Sequence, residues 1–281
     1  MNDESLKSKI FLDVSRFLDD PNGPLKAVVM RGKWMKLLVS VRDLDEAFNA
    51  LRGGAQIIDV KNPEEGSLGA HHPTVIRKIS EVVSGKAEIS ATLGDLPNLP
   101  GTASLAALGA AVSGARYVKV GLFGVKTRSE AEVMLRAVCM AVRDYDVKVI
   151  AAGYADYSNF GCVNPLELPM AAYQAGADGV MIDVKRKSPS RKLFEYFGDA
   201  ELQKYVEEAH RINLMVALAG SLDIGDAGRV YSLGADIMGI RRGACRDDSR
   251  TGRKIDEGIV AKYVEEINKL TRRNLHCKHD L

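Results

Sequence analysis

Cysteine is scarce in this chain. Four occur in 281 residues, Cys139, Cys162, Cys245 and Cys277, and no two form a C-x-x-C pair. So sparse a set builds no disulfide framework and reads as reduced thiols in a cytosolic protein. Aromatic residues are only 6% of the chain, so platforms for stacking bases are not advertised. The formal net charge is +2 and the basic residues form no long block, which argues against nucleic acid as a partner. No run of about 18 apolar residues is present, so no membrane span is expected. The opening MNDESLKSKIFLDVSRFLDD begins acidic and lacks a cleavable apolar stretch, against a secretory signal. His71 and His72 have no ligand-spaced partner, and the NLHCKHDL end reads as a frayed polar tail, so no metal is expected. A G-x-G-x-x-G turn is also missing. The first strand candidate runs into VSVRDLDEA without a glycine, which disfavours a doubly wound dinucleotide fold.

What is present is rhythm. Residues 1–34 stand apart, with helical spacing in LKSKIFLDVSRFL and then the turn cluster DDPNGP. They read as an appended helix or flexible arm, ahead of a domain over 35–270 and a polar tail over 271–281. From Met35, short apolar runs alternate with longer amphipathic ones. The strand candidates are 36–41, 56–61, 88–93, 117–122, 148–153, 179–184, 214–219 and 236–241. Helix-like stretches lie between them, as at 45–52, 128–143 and 202–211. A Gly-Ala pair stands before four of the strands, at Gly54, Gly114, Gly176 and Gly234. A glycine there can take the left-handed conformation that ends a helix. Repeated helix–Gly-Ala–strand joints mark βα units, and eight of them fit an α/β protein of the (β/α)8 barrel class.

Charges interrupt the apolar runs. QIIDVKNP places Asp59 and Lys61 at the end of the second strand, two apart and so on one face. YVKVGL places Lys119 between two valines, and GVMIDVKRK ends the sixth strand on Asp183. Active sites of such barrels lie at the C-terminal strand ends. If these residues face inward, two amines and two carboxylates share one space, where charges of both signs can be held together. The plain alternative is a structural salt-bridge network. A lysine in a partly dry pocket near other lysines has a lowered pKa, and it can serve as a Schiff-base nucleophile or a base. Tyr154 and Asp156, ending strand five, are further candidates for the pocket wall. Strands seven and eight end in ALAGSL and GIRRGAC. Loops there often bind phosphate, so Gly220, Ser221 and the Arg241–Arg242–Gly243 segment are candidate phosphate contacts. Glycine turns with solvated arginines are the plain alternative.

These segments carry a resemblance. MKLLVSV, GGAQIIDVKNPEEGSLGA, YVKVGLFG, AAGYADY, GADGVMID and LAGSL together resemble the (5-formylfuran-3-yl)methyl phosphate synthase family. The resemblance covers Met35 to about Leu270, and the DVKNP-x-x-GSLGA stretch is its most distinctive part. It implies a reaction of two glyceraldehyde 3-phosphate molecules to give 4-(hydroxymethyl)-2-furancarboxaldehyde phosphate, in methanofuran biosynthesis, with no cofactor. It implies that Lys61 forms the Schiff base and Lys119 accepts a proton. It carries over Asp59 and Asp183, and a lysine four places later, Lys187, for which Lys185 is a local rival. The competing readings are an ordinary Schiff-base aldolase on phosphosugars and a non-catalytic phosphosugar-binding barrel. The expected partner is a phosphorylated triose, and the oligomeric state, a homo-oligomer included, is open.

Overall fold

The computed structural model describes residues 34–186, 191–248 and 252–276. Most of the proposed N-terminal arm, Lys187 and Cys277 lie outside the described residues. Eight parallel strands close into a barrel in chain order: β1 Lys36–Val41, β2 Ile57–Val60, β3 Glu88–Asp95, β4 Tyr117–Gly121, β5 Lys148–Tyr154, β6 Gly179–Asp183, β7 Met215–Leu218 and β8 Ile237–Ile240. Each strand is followed by a helix: α1 Leu44–Arg52, α2 Pro73–Val83, α3 Pro100–Val112, α4 Arg128–Val142, α5 Leu168–Ala175, α6 Asp199–Arg211, α7 Ala227–Leu233 and α8 Glu257–His276. The strands fall within two residues of the sequence reading. Of the polar tail expected over 271–281, residues 271–276 belong to a helix and 277–281 lie outside the described residues. Helix α8 runs on to His276 and buries Thr271, whose hydroxyl donates to the Ile267 carbonyl at 3.0 Å.

Barrel strands are buried on both sides, which is why they read as near-continuous apolar runs. Leu37, Val39, Ile58, Val60, Val118, Val120, Val180, Ile182 and Val216 face outward and join the helices in one cluster. Leu38, Ile57, Tyr117, Ile150, Met181, Ala217 and Ile237 face inward and fill the barrel. Burying a side chain of this size contributes about 1.5–3 kcal/mol. The four Gly-Ala joints behave as the sequence predicts, with φ of 87° at Gly54, 97° at Gly114, 80° at Gly176 and 87° at Gly234.

Side-chain caps fix where several helices start. Asp43 accepts from Glu46 N at α1, His72 from Thr74 N at α2, and Thr127 from Glu130 N at α4. His72 is thus a capping residue at a helix start. One element is absent from the sequence reading. A hairpin, β9 Cys245–Asp248 paired antiparallel with β10 Gly252–Ile255, is inserted between β8 and α8. It brings Arg253 to the rim of the barrel mouth.

Candidate active site

The inward plug of apolar side chains stops short of the C-terminal strand ends. Above it opens a cavity of about 540 Å³ whose wall includes Ser40, Lys61, Lys119, Asp183, Lys185, Ser221 and Arg242. Alternation along β2 sends Ile57 and Asp59 inward, and Lys61 follows on the same face. The register sets Asp59 beside Ser40 of β1 and Ser90 of β3.

Asp59 is fully buried, and Lys61, Lys119 and Asp183 are nearly so. Asp59 Oδ2 accepts from Lys119 Nζ at 2.6 Å and from Ser40 Oγ at 2.7 Å. Burial pushes the Asp59 carboxyl upward. The charges of Lys119 and Lys61 and the hydrogen bonds from Lys119 and Ser40 outweigh that and hold it below the usual carboxylate range. Its other oxygen, Oδ1, is buried with no hydrogen-bond partner among the described residues. Lys61 Nζ donates to the Ser67 carbonyl at 3.0 Å. Asp183 Oδ1 accepts from Val184 N at 2.8 Å. The two amines expected from the sequence therefore open onto one cavity, with a carboxylate bonded to one of them and held low by the charges of both.

Of the expected phosphate contacts, Gly220, Ser221, Arg241 and Arg242 line the cavity and Gly243 does not. A Cβ at Gly243 would overlap Tyr263 Oη, so this glycine serves packing under the wall. Arg241 is committed elsewhere. Its guanidinium donates to both oxygens of the buried Glu46, at 2.7 and 3.2 Å, and to the Ser40 carbonyl at 2.8 Å. Ser221 Oγ and Arg242 Nη1 are buried without a hydrogen-bond partner among the described residues. The chain passes Gly220 and Ser221 with positive φ, 112° and 56°, and the Ser221 hydroxyl stands unpartnered beside the cavity.

Tyr154 and Asp156 stand behind the wall, not in it. Tyr154 Oη donates to Asp95 Oδ1 at 2.5 Å. Burial and then the Asp95 charge push the phenol well above its ordinary value, so it stays a donor. Asp156 accepts from the backbone N–H of Lys185 and of Arg186, at 2.7 and 2.9 Å, and so fixes the loop after β6. That loop presents Lys185, whose Nζ lies 2.7 Å from Asp95 Oδ2 and 4.8 Å from the Phe123 ring centroid. Ser40, Asp95, Arg42 and Arg253 are among the site residues that sequence reasoning missed. Among the described residues, no group of three or more His, Cys, Asp or Glu could hold a metal ion.

Fold and site together define a (β/α)8 barrel with a lysine–aspartate–lysine cluster at the mouth of its cavity. Comparison with known proteins makes this specific. The model of the 4-HFC-P synthase family matches residues 37–264, and the chain belongs to that family of enzymes. It is 48% identical over 234 residues to the (5-formylfuran-3-yl)methyl phosphate synthase of Methanosarcina acetivorans, covering 83% of this chain and 99% of that one. It is 49% identical over 238 residues to the Archaeoglobus fulgidus enzyme of the same name, covering 83% and 100%. Among solved structures it resembles 3-hexulose-6-phosphate synthase from Salmonella typhimurium, with TM-score 0.59 and 16% identity over 85% of this chain and 100% of that one. Phosphoribosyl anthranilate isomerase from Thermotoga maritima is similar too, with TM-score 0.57 and 12% identity over 84% and 99%. At these identities the structural likeness speaks for the fold alone.

Proposed function

We propose that this chain condenses two molecules of glyceraldehyde 3-phosphate into 4-(hydroxymethyl)-2-furancarboxaldehyde phosphate through a Schiff base on Lys61, in methanofuran biosynthesis. The observation that carries the reading is the pair of amines, Lys61 and Lys119, opening onto one cavity with Asp59 bonded to Lys119 and under the charge of both. The family and its similarly named relatives support it.

Lys61 Nζ attacks the aldehyde of the first triose and expels water, giving an iminium. The iminium acidifies the C2–H bond, and Lys119 takes that proton. The electron pair left on C2 expels phosphate from C3, which leaves an unsaturated iminium with an electrophilic C3. The order follows from the product. Its formyl group and its phosphomethyl group sit on different ring carbons. The new carbon–carbon bond therefore joins C3 of the triose that loses phosphate to C2 of the triose that keeps it. The expelled phosphate carries away the proton that Lys119 took, and Lys119 then takes the C2 proton of the second triose, alpha to its aldehyde. The enolate C2 so formed attacks C3 and closes the bond. The C2 oxygen of the first triose then adds to the second aldehyde to form a cyclic hemiacetal, and loss of two waters from its two ring hydroxyls gives the furan. Hydrolysis returns the amine of Lys61. The net balance is two triose phosphates to one furan, one inorganic phosphate and two waters, and aromaticity draws the sequence downhill.

The retained phosphate needs an anion site that lasts through the cycle. Ser221 Oγ and Arg242 Nη1, unpartnered beside the cavity, suit it, with the Gly220 backbone at close approach. Arg241, held by Glu46, supports the wall instead.

The test pairs two readouts on one incubation with glyceraldehyde 3-phosphate, inorganic phosphate release and ultraviolet absorbance of a furan aldehyde. Equal molar appearance of both is expected. An aldolase would form a sugar phosphate and release no phosphate, and a binding protein would do neither. Borohydride added early should label Lys61, found by peptide mass spectrometry. Label at Lys119 alone would reverse the two roles.

A further inference from the structure

The mechanism above leaves the largely buried carboxylate of Asp95 unused. Asp95 ends β3, and the β3–β4 register shifts between Thr92 and Asp95. Gly94 just before it has φ 115°. Such an irregularity re-aims a side chain at a strand end. Here it turns Asp95 beneath the cavity wall, where the side chain is 7% exposed.

Its two oxygens accept from five donors. Oδ2 receives Ser67 N at 2.9 Å and Lys185 Nζ at 2.7 Å. Oδ1 receives Tyr154 Oη at 2.5 Å, and Ser67 Oγ and Leu68 N each at 3.3 Å. A carboxylate offers about four acceptor positions, so this one is saturated. Three of the five donors belong to the turn that follows Lys61. Gly66 in that turn has φ 135°, and a Cβ there would overlap Asp95 Oδ2 and come within 3.4 Å of Lys185 Nζ. The glycine is required because the carboxylate approaches so closely. The carbonyl of Ser67, held at its own N–H and hydroxyl by Asp95, is the acceptor for Lys61 Nζ. A short chain of contacts thus runs from Asp95 through the turn to the amine. The same carboxylate holds Lys185 against Phe123 on the cavity wall.

We propose that Asp95 is the positioning residue of this site, fixing the Gly66–Gly69 turn so that the Ser67 carbonyl aims the Lys61 amine at the substrate aldehyde. The inference rests on the reading of Lys61 as the imine-forming amine. It gives the GSLG part of the long motif a physical reason. Those residues wrap a carboxylate contributed by the next strand.

The test is rapid-quench borohydride trapping with glyceraldehyde 3-phosphate, on the full chain and on Asp95→Asn, with the adduct at Lys61 followed by mass spectrometry. Asparagine keeps the size but turns one acceptor into a donor, which the Ser67 and Leu68 N–H groups and the Lys185 amine cannot accept. The trappable fraction at long times should match wild type. The rate of trapping should fall about 100-fold, as it does when a reacting group is misplaced by about 1 Å, with kcat falling far more than KM. A purely structural role would reduce the trappable fraction and leave the rate of the remainder unchanged. That result overturns the proposal, and so does trapping at the wild-type rate. Where Asp95→Asn fails to fold, Ser67→Ala removes only the hydroxyl contact to the carboxylate. It should slow trapping about fivefold, the weight of one long hydrogen bond, and an unchanged rate there overturns the proposal equally. Wild type labelled elsewhere than at Lys61 sinks the functional reading instead, and the wild-type control alone decides that.

Discussion

The two ends of the barrel use the same residue types differently. At the base, Lys36 of β1 pairs with Glu88 of β3, and Tyr117 of β4 donates to that carboxylate at 2.9 Å. The Lys36 and Glu88 side chains are 45% and 34% exposed, against 3% and 0% for Lys119 and Asp59 at the mouth. Both oxygens of Glu88 are engaged. At the mouth, Asp59 Oδ1, Ser221 Oγ and Arg242 Nη1 are buried without a hydrogen-bond partner among the described residues. A charge within a strand is therefore no mark of function by itself. What separates the two ends is dehydration with incomplete satisfaction, which stability alone does not favour and a bound substrate can complete.

The widest gap between the ends should appear in activity. Lys61→Arg keeps the charge but cannot form an iminium. We expect furan formation to fall on the order of 10⁴-fold or more, with no borohydride adduct. Lys119→Met should cut kcat by about 10²–10⁴-fold, the usual weight of a general base. It also leaves Asp59 a buried carboxylate without its nearest cation. Urea unfolding should then show a loss of about 3 kcal/mol. Lys36→Met, at the base, should lose less than about 1 kcal/mol and keep full activity. Equal losses at the two lysines would break the comparison.

The two adjacent arginines sharpen it within the mouth. Arg242→Ala should raise KM about 10–100-fold and hardly move the melting curve, since its free nitrogen is read as a phosphate contact. Arg241→Ala should do the reverse. It strips the buried Glu46 of its bidentate partner, for a loss of about 2–3 kcal/mol with KM near wild type. A common phenotype for both would show that the wall and the phosphate contact are not separable.

The strands were readable because both faces of a barrel strand are buried. Even the Gly-Ala joints could be placed, since a left-handed helix end needs glycine. Lys61 and Lys119 were readable for a related reason, as each interrupts an apolar run at an inward position. Asp95 was not. TLGDLP reads as an ordinary turn, and nothing local announces a carboxylate that meets Ser67, Tyr154 and Lys185, residues 28, 59 and 90 positions away. The irregular backbone between Thr92 and Asp95 also breaks the two-residue alternation on which an inward assignment depends. The different settings of Arg241 and Arg242 were hidden for a similar reason. They sit where β8 gives way to a short 3-10 turn, so alternation no longer tells that Arg241 is held by Glu46 while a nitrogen of Arg242 is left unpartnered. The β9–β10 hairpin was hidden by its polar, charged sequence, which resembles a loop.

Acid unfolding gives the finest division between the ends. Asp59 and Glu88 are both held below the ordinary carboxylate range. At each, burial acts upward and is outweighed, by Lys119, Lys61 and Ser40 at the mouth and by Lys36, Tyr117 and Lys148 at the base. A depressed folded-state value means that each contributes stability at pH above its unfolded value, near 4, and loses it as pH falls through the folded one. Wild type should therefore lose stability below about pH 4 more steeply than either Asp59→Asn or Glu88→Gln. Salt then separates them. At about 1 M ionic strength the screening length is about 3 Å, which weakens the part-exposed Glu88 pair and leaves the dry Asp59 cluster largely intact. Added salt should flatten the difference between wild type and Glu88→Gln while preserving that between wild type and Asp59→Asn. Equal screening of both would mean that water reaches Asp59, and the distinction between a solvated base and a dry mouth would fall with it.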